Sequence, residues 1–513
     1  MQAWMRSGTA VLAATLVVCS AAAGLARSSE PVSGVVPVAS GTDRLPVTAD
    51  DGPVSRGGTR DTRPNVVFVM TDDMRDDDLR WMPETRRLIA DRGLDFTDAV
   101  SPHPLCCPAR AELVTGQYAQ NNGVQHNAGP FGGFQALDPT HEVSSWFGRA
   151  GYQTGFVGKF LNGYTAADTR PSGWTHWDAL VSGVYDYLDF SFADDDASPA
   201  VFEDSYVTDV IAERTNDTVR RFARRDEPFL LYSWHLAPHY RLDGGKPVPP
   251  PSAPRDADRF ADAMPPSLED PSFNERMVLD QPRPFRSRRE ADPQVVIEEH
   301  RARLRALQSV DRAVASLVDT LRETGELEST VIVFTSDNGY SLGEHRFIGK
   351  NVLTDPALQV PLLVRGPGIA PGTTSELPVT LVDLPATFAA IAGASPSWAV
   401  DGTSVVPTLR GLDQPFRDTT LVQTGDDGGD GWAYRGVRTD RYLYGVNGAD
   451  AFLYDDDLDP DQLVNRIDDP AYAAVAAALE ERRSRLITCA GWLCNQTFGA
   501  LPDPGTPPTG QDQ

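Results

Sequence analysis

Short apolar segments that end abruptly in polar residues recur along this chain of 513 residues. Four of them are NVVFVM, TGFVG, FLLYSW and TVIVF, which begin at residues 65, 154, 229 and 330. Such uninterrupted runs are typical of strands that are buried on both faces of a sheet. Helical patterns lie between them, for example from His300 to Leu327. The alternation predicts an α/β fold with a large, mostly parallel central sheet and helices on both faces.

The polar residues that follow these runs are candidates for one common site. The carboxyl ends of parallel strands meet at one edge of a sheet, where ligands bind. The residues expected at this edge are Asp72, Asp73, Lys159, His239, Asp337 and Asn338. One acidic pair after a strand is equally explained by a helix cap or a turn, but two such pairs favour a site. Carboxylate and amide oxygens favour Ca²⁺ over Mg²⁺ here, and zinc would bring histidine or cysteine into the set.

The segment CCPARAELVTG combines two adjacent cysteines with the start of a helix. Pro108 suits the first helical turn, and Gly116 suits the end of the helix. Cys106 would lie just ahead of the helix N-terminus, which favours anions, and Arg110 can return toward the same place. A nucleophile in this setting suits attack on an anionic ester. A buried pair of small residues, a redox pair and a soft-metal site remain open for Cys106 and Cys107.

The formal net charge of −26 restricts the partners of the chain. It argues against binding to nucleic acid and against docking of the whole surface on anionic lipid. The chain has only three lysines, Lys159, Lys246 and Lys350, among many arginines. Because an ammonium group is a compact point charge that arginine does not reproduce, Lys159 and Lys350 are further candidates for the site.

The cysteine segment carries a resemblance to a known family. CCPARAELVTG matches the sulfatase signature C-x-P-x-R-x-x-x-x-T-G, with Cys106 in the first position. RPNVVFVMTDDM and FTSDNGYSLGEH resemble the two metal-binding strands of that family, and VPLLVRGPGI resembles a further core strand. The segment 434–470 resembles its small C-terminal antiparallel sheet. The chain thus resembles the formylglycine-dependent type I sulfatases of the alkaline phosphatase-like superfamily, and CCPAR, GYQTGFVGKFLNGY, GWTHW and TSDNGY are closest to the N-acetylglucosamine-6-sulfatase type.

The resemblance implies a modified residue and a metal ion. A formylglycine-generating enzyme would convert Cys106 to Cα-formylglycine, and Cys107 would be a packing residue. The residues that would hold one Ca²⁺ are Asp72, Asp73, Asp337, Asn338 and the modified Cys106.

The resemblance also implies a mechanism for hydrolysis of a sulfate monoester. The hydrated aldehyde would be held by Arg110 and Lys159, and one of its hydroxyls, deprotonated with help from Asp337 and the metal, would attack sulfur. Lys350 and His239 would neutralise the sulfate oxygens, and one of them would protonate the leaving alcohol. The second hydroxyl of the sulfated diol would then lose its proton, so that sulfate leaves and the aldehyde returns.

One position departs from the pattern of many sulfatases. Those enzymes carry a histidine two residues after the first active-site lysine, as the base for sulfate release, whereas this chain has Leu161. The N-acetylglucosamine-6-sulfatase type shares the departure. His126 and His235 are candidates for the base and His345 for the pocket lining, and a structural role is open for each.

The termini indicate export. The predicted organisation is a signal peptide at 1–26, a disordered linker at 27–63, a sulfatase catalytic domain at 64–400, a C-terminal subdomain at 401–500 and a disordered tail at 501–513. A secreted protein without a membrane span follows from this pattern. Cys19 offers a lipoprotein site as an alternative, although Val18 is bulky for one. In an exported chain, Cys489 and Cys494 predict a small-loop disulfide, with two free thiols as the alternative.

Three other functions compete with a sulfatase. They are a phosphate or phosphonate ester hydrolase of the same superfamily, a non-catalytic sugar-binding relative and a thiol redox protein. The acidic surface favours small sulfated sugars, chain ends or aryl sulfates over the interior of a sulfated polymer. The resemblance implies N-acetylglucosamine 6-sulfate as an example of such a sugar. The segment Leu242–Pro293, rich in Pro, Arg and Asp, is expected to form a loop near His239 that sets specificity.

Overall fold

Residues 61–193 and 198–505 are described by the computed structural model. The predicted signal peptide with Cys19 lies outside these ranges, as do residues 27–60 of the predicted linker and 506–513 of the predicted tail. At the N-terminal boundary, Arg63 Nη1 donates a hydrogen bond to the carbonyl of Ala392. At the C-terminal boundary, Leu501 packs against the core of the C-terminal region.

The described residues include twenty β-strands. They are β1 (Asn65–Thr71), β2 (Leu94–Phe96), β3 (Ala99–Val100), β4 (Gln153–Gly158), β5 (His176–Ser182), β6 (Phe190–Phe192), β7 (Ala200–Phe202), β8 (Phe229–Trp234), β9 (Arg241–Asp243), β10 (Lys246–Val248), β11 (Thr330–Ser336), β12 (Ser341–Leu342), β13 (Ile348–Gly349), β14 (Leu362–Arg365), β15 (Thr373–Ser375), β16 (Val379–Thr380), β17 (Thr420–Gly425), β18 (Trp432–Arg438), β19 (Tyr442–Asn447) and β20 (Asp450–Asp455). The four strands expected from the apolar runs are β1, β4, β8 and β11.

Helices connect most of the major strands. They are α1 (Pro83–Leu88), α2 (Cys106–Thr115), α3 (Ala119–Asn122), α4 (Val143–Arg149), α5 (Val207–Phe222), α6 (Arg283–Arg286), α7 (Pro293–Glu323), α8 (Asp355–Leu358), α9 (Asp383–Ala392), α10 (Val406–Leu409) and α11 (Ala473–Leu486). Short 3₁₀ turns occur as well, for example at Asp76–Trp81 and Gly491–Asn495. The long amphipathic pattern after His300 belongs to α7.

Ten strands form the central sheet, in the order β15, β2, β14, β11, β1, β8, β4, β5, β6, β7. The five central strands, β11, β1, β8, β4 and β5, are parallel to one another. β14 runs antiparallel to β11, and β6 and β7 are antiparallel additions at the other side. The prediction of a large, mostly parallel sheet is confirmed, and VPLLVRGPGI supplies the antiparallel strand β14.

Alternate residues of β1 face opposite layers of helices. Phe68 belongs to a buried cluster that includes residues of α2, α4 and α9. Val67 belongs to a second cluster that includes residues of α1, α5 and α7. Because successive side chains of a strand point to opposite faces, a strand that is apolar on both faces must be covered on both. The helices therefore lie on both faces of the sheet, as predicted.

The register of the parallel strands brings distant residues to one level. Thr71 pairs with Ser336, Met70 with Trp234 and Gly158 also with Trp234. The chain segments that leave β1, β4, β8 and β11 consequently start side by side at one edge of the sheet. This edge is where the polar residues after each strand come together.

The helix that carries the two cysteines begins one residue earlier than expected. Cys106 is its first residue, with Leu105 in the extended N-cap position. The expectation that Cys106 precedes the helix was wrong by this one position. The helix ends as predicted at Gly116, whose φ of 71° lies in the left-handed region that favours glycine.

The C-terminal region is a four-stranded antiparallel sheet, β17 to β20, with α11 beside it. Its buried residues, among them Leu421, Val437 and Leu479, form a cluster that also includes Tyr118 and Val382 from the preceding part of the chain. Cys489 and Cys494 are joined in a disulfide, so that prediction is confirmed. In the described part of the chain, no helix is long and apolar enough to cross a membrane.

The disulfide loop is bound to the rest of the fold through Asp401. The backbone N–H of Gly491 donates to Asp401 Oδ1 at 2.7 Å, and Asn495 Nδ2 donates to the carbonyl of Asp401 at 2.7 Å. Asn121 Nδ2 bonds both Asp401 Oδ2 and the carbonyl of Cys489. The loop thus fixes the C-terminal end of α11 against the segment that follows α2.

We expect the double variant Cys489→Ser, Cys494→Ser to lose about 2 kcal/mol of unfolding free energy, because the bridge closes a short loop in the unfolded chain. Denaturant unfolding in non-reducing buffer measures the loss, and reduced wild-type protein is the matched control. Equal unfolding midpoints for the variant and the oxidised wild type would contradict the expectation.

Candidate active site

Cys106 lies at the centre of the polar residues gathered at the sheet edge. Its side chain is fully buried. Lys350 Nζ donates to Cys106 Sγ at 2.7 Å, Lys159 Nζ lies at 3.6 Å, and Sγ lies 3.4 Å from Asp72 Oδ1. Burial, with the nearby charge of Asp72, raises the pKa of the thiol to about 12. Two ammonium groups therefore converge on a sulfur atom that is protonated at neutral pH.

Arg110, one turn along α2, holds the acidic residues together. Its Nε donates to Asp337 Oδ2 and its Nη2 to Asp72 Oδ2, both at 2.9 Å. Its Nη1 donates to the carbonyl of Lys159 at 2.5 Å. Burial lowers the pKa of the guanidinium, but the two carboxylates raise it further, so the net direction is upward. The structure thus brings Arg110 to the site, where it connects the loops after β1, β4 and β11.

The two lysines each have an acidic partner. Lys159 Nζ bonds Asp72 Oδ2, and Lys350 Nζ bonds Asp73 Oδ1. Burial lowers the pKa of both ammonium groups, and the carboxylates raise it to a larger extent. Lys159 Nζ also lies 4.6 Å from the centre of the Tyr185 ring. Both lysines are therefore held in the charged form.

Four of the gathered side chains have the spacing of a metal site. Asp72, Asp73, Cys106 and His239 each offer a ligand atom, and these atoms lie within 4.8 Å of one another. All four residues are buried. His239, which was expected as a catalytic residue, thus lies within this cluster.

Asp337 and Asn338, which follow β11, add a carboxylate and an amide oxygen to the site. Asp337 Oδ1 accepts a hydrogen bond from the backbone N–H of Asp73 at 3.1 Å, and Asn338 Nδ2 donates to Asp73 Oδ1 at 2.8 Å. Asp73 Oδ2 and Asn338 Oδ1 are buried and lack a hydrogen-bond partner among the described residues. Buried oxygens of this kind are costly unless a cation or a donor satisfies them. The oxygen donors, taken without the Cys106 thiol and the His239 imidazole that zinc would use, are of the kind that hold a hard divalent cation such as Ca²⁺.

The carboxylates differ in the charge that surrounds them. Burial raises the pKa of Asp72, but Lys159 and other cations lower it more, so the net pKa is well below the usual range. Burial and the charge of Asp72 raise the pKa of Asp337 to about 6. Cations thus compensate the charge of Asp72 better than that of Asp337.

The tautomer of His239 is defined by its neighbours. Nδ1 lies 2.8 Å from the carbonyl oxygen of Tyr240, which can only accept, so Nδ1 carries the proton. Nε2 lies 3.7 Å from Asp73 Oδ2. Burial lowers the pKa of the imidazole to about 3. His239 is consequently neutral, with an unprotonated Nε2 directed toward the metal cluster.

Several residues at the site gave no signal in the sequence. Asn127 Oδ1 accepts from the backbone N–H of Cys107 at 2.8 Å, and the N–H of Asn162 donates to Cys107 Sγ at 3.1 Å. Tyr185 OH donates to Asn162 Oδ1 at 2.8 Å, and its ring lies beside that of His239, with centroids 4.7 Å apart. These residues come from loops without regular spacing, so only the folded chain reveals them.

The other candidate histidines lie in different surroundings. His345 Nδ1 lies 2.7 Å from Glu275 Oε2, and His345 lines a separate cavity of about 310 Å³ with Arg75. His235 is buried, which lowers its pKa to about 3. His126 Nδ1 accepts from a backbone N–H within its own loop. Hydrogen bonding therefore favours a structural role for His345.

Comparison with known proteins identifies the family to which the chain belongs. Residues 64–394 match the sulfatase family, and residues 343–488 match the C-terminal region of N-sulphoglucosamine sulphohydrolase. Human N-acetylglucosamine-6-sulfatase is 34% identical over 392 residues, with 72% of this chain and 68% of that protein covered. A Drosophila melanogaster extracellular sulfatase SULF-1 homolog is 32% identical over 382 residues; this covers 70% of this chain but only 32% of that longer protein.

A solved structure shares the fold. It shows BT4656 in complex with its substrate D-glucosamine-2-N,6-O-disulfate, and it superimposes with a TM-score of 0.69 at 23% identity. The likeness covers 82% of this chain and 97% of the other. With the family match over more than half of its residues, the chain is a member of the sulfatase family and an enzyme that hydrolyses sulfate esters.

Proposed function

We propose that this enzyme is exported and hydrolyses the sulfate monoester of a small sugar, such as N-acetylglucosamine 6-sulfate, with Cys106 converted to Cα-formylglycine. The observation that carries the proposal is the position of Cys106, enclosed by Lys159, Lys350 and Asp72 at the carboxyl edge of the sheet. The signature that begins at Cys106 is the substrate motif expected for the formylglycine-generating enzyme.

The surroundings of Cys106 favour conversion over direct use of the thiol. With a pKa near 12, the thiol is a poor source of thiolate at neutral pH. Once hydrated, the aldehyde of formylglycine supplies two hydroxyls on one carbon, of which one can attack sulfur and the other allows sulfate to leave. Lys159 and Lys350, both charged, are placed to hold this group and the sulfate oxygens.

The proposed metal ligands are Asp72, Asp73, Asp337, Asn338 and the modified Cys106. The unpaired oxygens of Asp73 and Asn338 support a cation at this place. When bound, Ca²⁺ supplies positive charge that polarises a sulfate oxygen and favours ionisation of the nucleophile. Arg110 orients Asp72 and Asp337, because its guanidinium bonds both carboxylates.

Lys350 and His239 are suited to different proton transfers. Lys350 Nζ carries protons and a positive charge, so it can neutralise the sulfate and donate a proton to the leaving alcohol. His239 Nε2 carries a lone pair, because the proton of the ring is on Nδ1 and bonded to Tyr240. His239 is therefore assigned the role of accepting a proton during sulfate release, the step for which Leu161 supplies no base. Because its pKa is about 3 in the free enzyme, this role requires that the negative charge of the bound sulfate raise the basicity of Nε2. This assignment differs from the expectation that His239 shares the acid role with Lys350.

A small sugar sulfate is favoured for three reasons. The human relative is named for N-acetylglucosamine-6-sulfatase activity, and the net charge of −26 opposes binding of a long polyanion. The rings of His239, Tyr185 and Tyr240 lie side by side next to Lys159, with those of Tyr185 and Tyr240 stacked, and form an aromatic wall at the site. Such a wall is suited to the apolar face of a sugar or aryl group.

The first expected result concerns the two adjacent cysteines. In protein from its native host, peptide mass spectrometry should find Cys106 as an aldehyde and Cys107 as a thiol. Cys106→Ala should lower kcat/KM more than ~10³-fold because the nucleophile is lost. Cys107→Ser should retain most activity, since a hydroxyl can accept the hydrogen bond from Asn162. An unmodified Cys106 in active enzyme, or a folded but inactive Cys107→Ser variant, would contradict the proposal.

The second expected result concerns the ester. A phosphate monoester carries one more negative charge than a sulfate monoester, and this charge would lie close to the buried carboxylates. Because such like-charge contact costs several kcal/mol, kcat/KM for N-acetylglucosamine 6-sulfate should exceed that for the 6-phosphate by on the order of 10²-fold or more. A preference for the phosphate, measured on the same preparation, would favour the phosphate or phosphonate ester hydrolase instead.

The third expected result separates Lys350 from His239. With 4-nitrophenyl sulfate in a stopped-flow experiment, Lys350→Ala should slow the first release of nitrophenol, so that no burst is seen. His239→Ala should keep the burst and slow the steady-state rate. We expect each variant to lose about 10²–10⁴-fold in the rate of the step that it affects. A burst in the lysine variant that is missing in the histidine variant would reverse the two roles.

A further inference from the structure

We propose that Arg303, on α7, is a positioning residue that holds Asp73 and the loop of His239 in the geometry needed to bind the metal. The inference rests on the metal site of the proposed function. Arg303 was not among the residues expected from the sequence. It lies 230 residues from Asp73 in the chain and within a helix whose other buried residues are mostly packing residues.

The guanidinium of Arg303 connects the loops that leave three neighbouring strands. Its Nη2 donates to the backbone carbonyl of Asp73, which follows β1. Its Nη1 lies 3.5 Å from the carbonyl of Pro238, which precedes His239 after β8. The guanidinium carbon Cζ of Arg303 lies 4.4 Å from the centre of the Tyr340 ring. Tyr340 follows Asn338 by two residues, after β11. A single side chain therefore contacts all three loops that supply metal-site residues other than Cys106.

Asp73 needs such support because of its backbone conformation. Its φ of 69° lies in the left-handed region, which is unfavourable for a residue other than glycine. The N–H of Asp73 is held by Asp337 Oδ1 at 3.1 Å, and its carbonyl is held by Arg303. With both backbone groups bound, the carboxylate is directed toward Asp72 and His239. Loss of Arg303 would release one of the two restraints.

The position of Arg303 is rigid and its charge is partnered. The side chain is fully buried, and Asp78 Oδ2 lies 3.7 Å from its Nη2. α7 is 31 residues long, and its residues Leu307 and Val310 pack in the core beneath β1. Contacts of this kind orient the residues that bind a metal directly. Their loss typically weakens metal binding by about 10–100-fold.

The test measures Ca²⁺ binding by isothermal titration calorimetry on full-length protein that has been treated with a chelator. We expect Arg303→Met to weaken Ca²⁺ binding by about 10–100-fold, and Arg303→Lys to lose less because the charge beside Asp78 is kept. Arg312→Met is the matched control, since Arg312 lies on the same helix and pairs with Asp256 away from the site. It should bind Ca²⁺ as the wild type does.

Circular dichroism and thermal melting establish that each variant is folded. If Arg303→Met does not fold, Arg303→Lys decides, and reduced Ca²⁺ affinity in that folded variant supports the inference. Wild-type affinity in a folded Arg303→Met protein, or an equal loss in Arg312→Met, would overturn it and leave the proposed function intact. If the wild type itself binds no Ca²⁺, the proposed metal site fails, and the inference fails with it.

As a second readout, activity is measured against Ca²⁺ concentration. A positioning role predicts that excess Ca²⁺ restores part of the kcat of Arg303→Met, because metal binding and the correct loop geometry favour each other. A loss of kcat that stays constant at every Ca²⁺ concentration would count against positioning.

Discussion

The site depends on the burial of opposite charges in equal number at one edge of the sheet. The three carboxylates are Asp72, Asp73 and Asp337, and the three cations are Arg110, Lys159 and Lys350. A buried charge that loses its partner costs roughly 3–5 kcal/mol of stability. Removal of any one of these side chains would therefore leave an opposite charge buried and less well paired.

Two helices on opposite faces of the sheet support this edge. Arg110 extends from α2 on one face and bonds the carboxylates of Asp72 and Asp337. Arg303 extends from α7 on the other face and bonds the backbone of Asp73. One arginine thus orients the ligand groups and the other the loop that carries them.

The core strands were predictable because each has a continuous apolar run, and the register of a parallel sheet places their ends together. Asp72, Lys159 and Asp337 could therefore be assigned to one edge before their contacts were known. The role of Cys106 was expected from the resemblance of its segment to the sulfatase signature, since the residues alone left other roles open. The antiparallel direction of β14 was not, since an apolar run does not record the direction in which a strand enters a sheet.

Contacts that depend on loops could not be read from the sequence. His345 pairs with Glu275 and lines another cavity, although it follows Asn338 closely in the chain. The neutral state of His239 follows from its burial and from the carbonyl of Tyr240, and both are properties of the folded chain.

The sequence by itself determined the strand and helix pattern, the signature at Cys106 and the acidic pairs, because these depend on residue type and spacing along the chain. Only the tertiary structure decided which groups touch: the bridge made by Arg110, the tautomer of His239 and the support of Asp73 by Arg303. The physical reason is that hydrogen bonds and charge pairs act over a few ångströms in space. Residues separated by more than 200 positions meet only when the packed sheet and its two layers of helices bring them together.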